Sequence, residues 1–164
     1  MSDNAEKTWI SILIFWYVLL AGGAAIAQSG VEMPASNCKP TPPDVIGPFY
    51  QPGAPVRSMV GQGYVLTGRV LSAGSCQLVP NARIEIWLAG PQGQYGDAYR
   101  ATVLPDAKGY YRFECDPPPA YYNRPPHIHI MVSAVGHERL ITQHYPVAGS
   151  AAATFDLVLE PVAR

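Results

Sequence analysis

Charge is scarce in this chain. Only 14% of its residues are Asp, Glu, Lys or Arg, the net charge is −1, and no run of Lys or Arg occurs. Phosphate backbones are gripped by clustered cations, so nucleic acid is excluded as the expected partner. Internal repeats are missing, and so is any glycine-rich loop of the kind that cradles phosphates. No amphipathic helical pattern of useful length follows residue 28, which removes a helical bundle. Cysteine is limited to Cys38, Cys76 and Cys115, at spacings that match no zinc pattern. In an exported chain, three cysteines allow one disulfide and one spare thiol. Cys38 with Cys76 is the expected pair, because both lie in loop segments away from the histidine strand. Three unpaired thiols is the alternative.

Proline (17), glycine (15) and tyrosine (10) are abundant instead. That mixture suits short strands joined by many turns, and 164 residues are enough for one domain with a real core. Composition divides the chain into three parts. Residues 1–27 hold Trp9–Ala27, a run of 19 residues without charge. One reading is a signal peptide ending at the small-x-small site Ala25-Ile26-Ala27. The other is a retained membrane anchor, since the run has almost the length that spans a bilayer. Either way the remainder is expected outside the cytoplasm, periplasmic or extracellular. The anchor reading adds membrane association through Trp9–Ala27. Residues 28–63 carry Pro34, Pro40, Pro42, Pro43, Pro48, Pro52 and Pro55, too many for a helix or a central strand. They read as an extended arm lying over the domain, with Gly47-Pro48-Phe49-Tyr50 as its aromatic anchor. Residues 64–164 read as the domain itself.

Strands follow from alternation. Tyr64–Leu71 comes first, with Gly68 marking a bulge or a close approach. Ala82–Leu88 puts Ile84, Ile86 and Leu88 on one face and Arg83, Glu85 and Trp87 on the other. A loop over 90–96 follows, then the turn Asp106-Ala107-Lys108-Gly109 and a strand over Tyr110–Cys115. A proline-rich loop over 116–124 leads to strands at His127–Ala134, Arg139–Tyr145 and Thr154–Glu160. This spacing predicts an all-β, antiparallel β-sandwich preceded by the N-terminal apolar segment.

His127 and His129 are two apart on a predicted strand, so their imidazoles share a face and can grip one metal ion. Two histidines on a polar strand face is the plain alternative. No Glu-x-x-His pair exists, and no carboxylate has the spacing of a two-His-one-carboxylate site. Tyrosine lies near instead: Tyr95 in the 90–96 loop, and Tyr121 and Tyr122 ahead of the histidines. Phenolate is a hard anionic donor suited to a trivalent ion such as Fe(III). Tyrosine ionises near pH ~10, so only a strongly charged metal holds it deprotonated at neutral pH.

Several motifs then fall in a telling order: Gly47-Pro48-Phe49-Tyr50, Leu66-Thr67-Gly68-Arg69-Val70, Ile84-Glu85-Ile86-Trp87 with Gly93-Gln94-Tyr95, Asp106 through Phe113, Arg124-Pro125-Pro126-His127-Ile128-His129, and Leu140-Ile141-Thr142-Gln143. From about Thr41 to Leu159 the chain resembles the intradiol ring-cleavage dioxygenases, the family of catechol 1,2-, protocatechuate 3,4- and hydroxyquinol dioxygenases. The resemblance implies non-haem Fe(III) held by Tyr95, Tyr121, His127 and His129. Shorter members place the second tyrosine three residues before the arginine, which selects Tyr121; Tyr122 is the alternative. Arg124 matches the family's active-site arginine, and Gln143 is similar to a glutamine beside the site. For Gln143 a sheet-edge side chain is the plain alternative. Tyr50, Tyr99 and Tyr110 read as packing or pocket residues, and His137 and His144 as surface or supporting histidines.

The implied activity is cleavage of a small aromatic diol by O2 between its two hydroxyls, giving a muconate-type diacid. Tyr121 would serve as ligand and then as base, and Arg124 would stabilise negative charge on the ring. The family's long N-terminal helical segment is missing and the Tyr121–Arg124 connection is short, which points to a minimal, open site. Two other readings compete. A β-sandwich subunit of a membrane complex could reuse the fold without catalysis. Zinc or copper could sit at His127 and His129 without the tyrosines.

Overall fold

Alternating side chains build this molecule, and one sheet departs from the simple rule in a way that makes the site. The computed structural model describes residues 38–163. Trp9–Ala27 lies outside them, and with it both readings of that segment. Among the described residues no helix is long and apolar enough to cross a membrane.

The strands are β1 (Tyr64–Ser72), β2 (Arg83–Leu88), β3 (Arg100–Val103), β4 (Tyr110–Cys115), β5 (Ile128–Ser133), β6 (Leu140–His144), β7 (Ala152–Thr154) and β8 (Leu157–Leu159). They form two four-stranded sheets. In the first, β1 pairs antiparallel with β4 and parallel with both β7 and β8. The second runs β3-β2-β5-β6 and is antiparallel throughout. Leu66, Val70 and Phe113 from the first sheet meet Ile84, Ile86, Ile130 and Val132 from the second, all 1% exposed or less. Each such side chain contributes about 1.5–3 kcal/mol by leaving water.

Two details differ from the sequence expectations. The edge strand β3 was not anticipated, because its four residues follow a loop and show too little alternation to register. The closing segment is two strands rather than one, broken at Phe155-Asp156. There the Phe155 carbonyl crosses over Gly68, where a Cβ would lie 2.1 Å from its oxygen, and accepts a hydrogen bond from the Tyr111 hydroxyl at 2.6 Å. Asp156 accepts from the backbone N–H and the guanidinium of Arg69, both at 2.8 Å. This is the close approach that Gly68 marks.

Strands β2 and β5 are buried on both faces. The inner face meets the core, and the outer face lies under residues 44–55. This arm crosses the sheet strand by strand. Asp44 N–H donates to Ile141 O at 2.8 Å on β6, Gly47 sits on His129 of β5, and the Tyr50 ring lies 5.1 Å from Trp87 of β2. Thr102 of β3 donates from its hydroxyl to Ala54 O at 2.8 Å. At the N-terminal end a Cys38–Cys76 disulfide, the pair expected from the sequence, ties the described chain to the β1–β2 connection. Cys115 is a buried free thiol.

Candidate metal centre

His129 lies in β5 and His127 one residue before it. Ile128 and Ile130 fill the core, so alternation turns both histidines outward, beneath the arm. Strand pairing sets His129 between Trp87 on β2 and Gln143 on β6. The Trp87 ring lies 5.0 Å from that of His129 and within 5° of parallel. Gly47 closes the other side. A Cβ there would stand 3.0 Å from His129 Cε1, and the backbone φ of +72° suits glycine.

Tyr95 arrives from the loop after β2. That loop folds back through Gly90 N–H to Gln94 O and Gly93 N–H to Gly90 O, both 2.8 Å. The Tyr99 ring packs so tightly on Gly90 that a Cβ would come within 2.3 Å of it. The Tyr95 hydroxyl thereby lies 3.5 Å from His127 Nε2. Nδ1 of the same imidazole donates to the Pro125 carbonyl at 2.7 Å, which leaves Nε2 with its lone pair toward Tyr95. Two donors each about 2.1 Å from one ion, subtending 90–120°, stand about 3.0–3.6 Å apart. Tyr95 and His127 have that separation.

Residues 121–124 form a tight turn, closed by Tyr121 N–H to Arg124 O at 3.1 Å and Arg124 N–H to Tyr121 O at 2.9 Å. Tyr122 takes the left-handed conformation, φ 49°. It borders the same cavity as Tyr121, but it is 88% exposed. Tyr121 instead packs edge-on to Tyr95 at 5.4 Å and to Phe49 at 5.5 Å. Phe49 stacks on Tyr95 at 4.2 Å. The result is a cavity of about 320 Å³ lined by Tyr95, Tyr121, Arg124, His127 and His129, with Pro48 and Phe49 from the arm.

Arg124 reaches from the turn to β6. Its Nη2 donates to Gln143 Oε1 at 2.9 Å and to the Tyr145 hydroxyl at 2.7 Å. Gln143 Nε2 donates to Val45 O at 2.6 Å, and the Tyr145 hydroxyl to Asp44 Oδ2 at 2.7 Å. His144 and His137 stand elsewhere, against the Tyr64 hydroxyl at 2.6 Å and the Ser72 hydroxyl at 3.1 Å. Tyr50 braces Trp87, and Tyr110 is exposed. Among the described residues no three His, Cys, Asp or Glu gather closely enough to hold an ion. The phenol oxygen of Tyr95 stands 3.5 Å from His127 Nε2, so a metal held there would have a tyrosine donor beside it.

No family model matches the sequence. Among curated proteins, catechol 1,2-dioxygenase 2 of Acinetobacter lwoffii is 32% identical over 154 residues, covering 73% of this chain and 54% of that protein. Catechol 1,2-dioxygenase of Acinetobacter baylyi is 31% identical over 141 residues, covering 63% and 45%. Among solved structures, the dioxygenase domain of a dioxygenase–carbohydrate-binding fusion from Streptomyces sp. SirexAA-E superposes with a TM-score of 0.66 at 25% identity, covering 76% of this chain and 100% of that one. The chain belongs to the intradiol ring-cleavage dioxygenase family. It spans about half the length of the curated relatives it matches.

Members of this family use non-haem Fe(III), and the electrostatics here suit such an ion. Burial, with Tyr121 nearby, raises the Tyr95 phenol above its ordinary value, only partly offset by Arg124. Desolvation and Tyr122 raise Tyr121 likewise. Both phenols hold their protons until a strongly charged ion displaces them. Burial, then the electrostatic influence of His127 and Arg124, push His129 down to about 4, with Asp44 and the Val45 backbone offsetting this in part. At neutral pH the ring is uncharged and able to bind a metal. His129 Nδ1 is buried and makes no well-formed hydrogen bond, so Trp87 and Gly47 hold the ring by packing.

Sequence reasoning treated Phe49 as an anchor for the arm and Trp87 as one face of a strand, and it missed Asp44 and Tyr145. A signal for Tyr145 existed, since it follows Gln143 by two residues and so faces the same way. Asp44 had none, because an arm without periodicity does not declare its faces.

Proposed function

We propose that this chain holds one non-haem Fe(III) through Tyr95, Tyr121, His127 and His129 and cleaves a catechol-type diol with O2, between the hydroxyls, to a cis,cis-muconate-type diacid. The observation that carries this reading is the meeting of the Tyr95 hydroxyl, from a distant loop, with the free Nε2 of His127 in a cavity that Tyr121, His129 and Arg124 also line. Bound there, the ion would supply an electron-poor centre that makes an ionised catechol reactive toward O2. The protein's residues do the rest. Tyr121, edge-on to Tyr95 at the exposed turn, is placed to take a proton from an entering hydroxyl. The Arg124 guanidinium faces the cavity, where it stabilises negative charge developing on the ring. Pro48 and Phe49 supply apolar surface to the cavity lining, against which an aromatic ring would pack. With iron bound, the purified protein should be wine-red from tyrosinate-to-iron charge transfer and should take up oxygen when catechol is added. A colourless, iron-replete preparation would refute the reading. A coloured protein without oxygen uptake would favour the non-catalytic subunit.

We place the domain outside the cytoplasm. The Cys38–Cys76 disulfide supports this, because such bonds persist in oxidising compartments. The apolar run Trp9–Ala27 points the same way. Cell fractionation with N-terminal sequencing of the mature chain is the check, and a reduced, cytoplasmic protein would overturn it.

A further inference from the structure

We infer that Tyr145, oriented by Asp44, is a positioning residue that aims Arg124 into the cavity and makes the arginine's setting depend on the arm. This rests on the role proposed above for Arg124.

The guanidinium has five N–H groups. The two on Nη2 are taken by Gln143 Oε1 and the Tyr145 hydroxyl, which leaves those on Nε and Nη1 for a ligand in the cavity that Arg124 lines. A long, flexible side chain on a four-residue turn does not hold one direction unaided; two acceptors on one nitrogen set it. The Tyr145 hydroxyl owns a single hydrogen and has two acceptors in reach, Asp44 Oδ2 at 2.7 Å and Gln143 Oε1 at 3.2 Å; the nearer and charged carboxylate takes it. Its oxygen is thus left as an acceptor toward Arg124. The carboxylate sets the polarity of the chain, and Asp44 is itself fixed. Its backbone N–H donates to Ile141 O at 2.8 Å, and its Oδ1 accepts from Val45 N–H at 2.6 Å. Burial acts to raise the Asp44 carboxyl, but hydrogen bonds from Tyr145 and Val45, with the charge of Arg124, outweigh it and keep the group ionised.

Both acceptors of Arg124 therefore hang on consecutive arm residues, Gln143 through Val45 O and Tyr145 through Asp44. Two residues beyond Val45, the same arm places Gly47 against His129 and then Phe49 against Tyr95. One extended segment registers the arginine to the candidate metal ligands.

The test is Tyr145→Phe beside Asp44→Asn, in the iron-loaded protein with catechol. Tyr145 is 40% exposed, so losing its hydroxyl leaves the core untouched. In Tyr145→Phe, kcat should fall roughly tenfold, with KM changed far less, because the lost interaction serves the transition state. Iron content and the resting visible spectrum should stay as in the wild type. Asp44→Asn should reproduce the loss with Tyr145 in place, since Val45 N–H and the Tyr145 hydroxyl use different oxygens of the carboxylate and asparagine puts an NH2 donor in place of one of them. Wild-type kcat in either variant overturns the inference. A wild-type protein inert toward catechol would remove the dioxygenase reading and leave this one standing on a second measurement. That measurement is the Arg124 Nε–H resonance in proton–nitrogen spectra, assigned with Arg124→Lys. The side chain should be ordered in the wild type and motionally averaged in both variants; equal order in all three overturns the inference.

Discussion

Changing Tyr95→Phe separates the metal reading from a packing reading most cleanly, because it removes one oxygen and almost nothing else. The ring keeps its stack on Phe49 at 4.2 Å and its edge contact with Tyr121 at 5.4 Å. Among the described residues the lost hydroxyl's hydrogen-bond partner is His127 Nε2 at 3.5 Å, which is at the long limit for a hydrogen bond. Its removal should cost less than about 1 kcal/mol of stability. The effect on metal is much larger. Losing a partner of a metal ligand already costs about 10–100-fold in affinity, so losing a ligand should cost at least about 100-fold. That is ~2.7 kcal/mol or more. Iron titration of the metal-free protein, followed by visible absorbance and by elemental analysis after gel filtration, reads both the affinity and the charge-transfer band. Thermal unfolding of the metal-free form reads stability. The expected result is an unchanged metal-free Tm with weak iron binding and a diminished band. Wild-type iron affinity with an unchanged band would refute the reasoning, and so would a large fall in metal-free stability.

Four further outcomes are expected. Tyr121→Phe should abolish oxygen uptake with catechol, whereas Tyr122→Phe, at a side chain 88% exposed, should leave the rate within about twofold; the reverse pattern would exchange their roles. Gly47→Ala forces a side chain into φ +72° and against His129 Cε1 at 3.0 Å; the metal-free protein should lose roughly 1 kcal/mol or more of stability and the iron-loaded form its wild-type affinity, and an unchanged iron titration would contradict this. Burial, then the neighbouring Asp116 and Glu114 carboxylates, push the Cys115 thiol up to about 12, so a thiol reagent should not label the native protein at pH 8. Because the folded value lies above the unfolded one, the associated stability is full below about pH 8.5 and declines as pH rises toward 12; denaturant titrations should show that decline, and Cys115→Ala should lack it. Replacing Cys38 and Cys76 by alanine frees a closure of 38 residues and should cost about 4 kcal/mol in urea unfolding; an unchanged midpoint would deny the disulfide its part.

Legibility in the sequence followed periodicity. Strands β1, β2, β4, β5 and β6 were readable because alternation or an apolar run declared them. The four residues of β3 and the break at Phe155-Asp156 were not, since each depends on a neighbour far away in the chain. The same holds around the candidate site. His127 and His129 could be assigned a common face from spacing, and Tyr95 could be named from its distance to Trp87 within a family pattern. Tyr121 and Tyr122 are adjacent in a loop, where no period separates them. The left-handed backbone at Tyr122 is what turns its side chain into solvent.

The sequence by itself determined that this chain would be a sandwich of short strands, and it carried two imidazoles and nearby phenols as the candidate donors. A strand's alternation is a local property of the backbone, and donor chemistry is a property of residue type, so neither needs the fold. Tertiary structure decided that the outward face of the second sheet is covered and that Tyr95 reaches His127 across it. It also decided that Asp44 and Val45 hold the two acceptors of Arg124. The arm that crosses four strands makes the cover and the setting of Arg124, and the loop after β2 brings Tyr95; an irregular segment acquires faces only from what it lies upon.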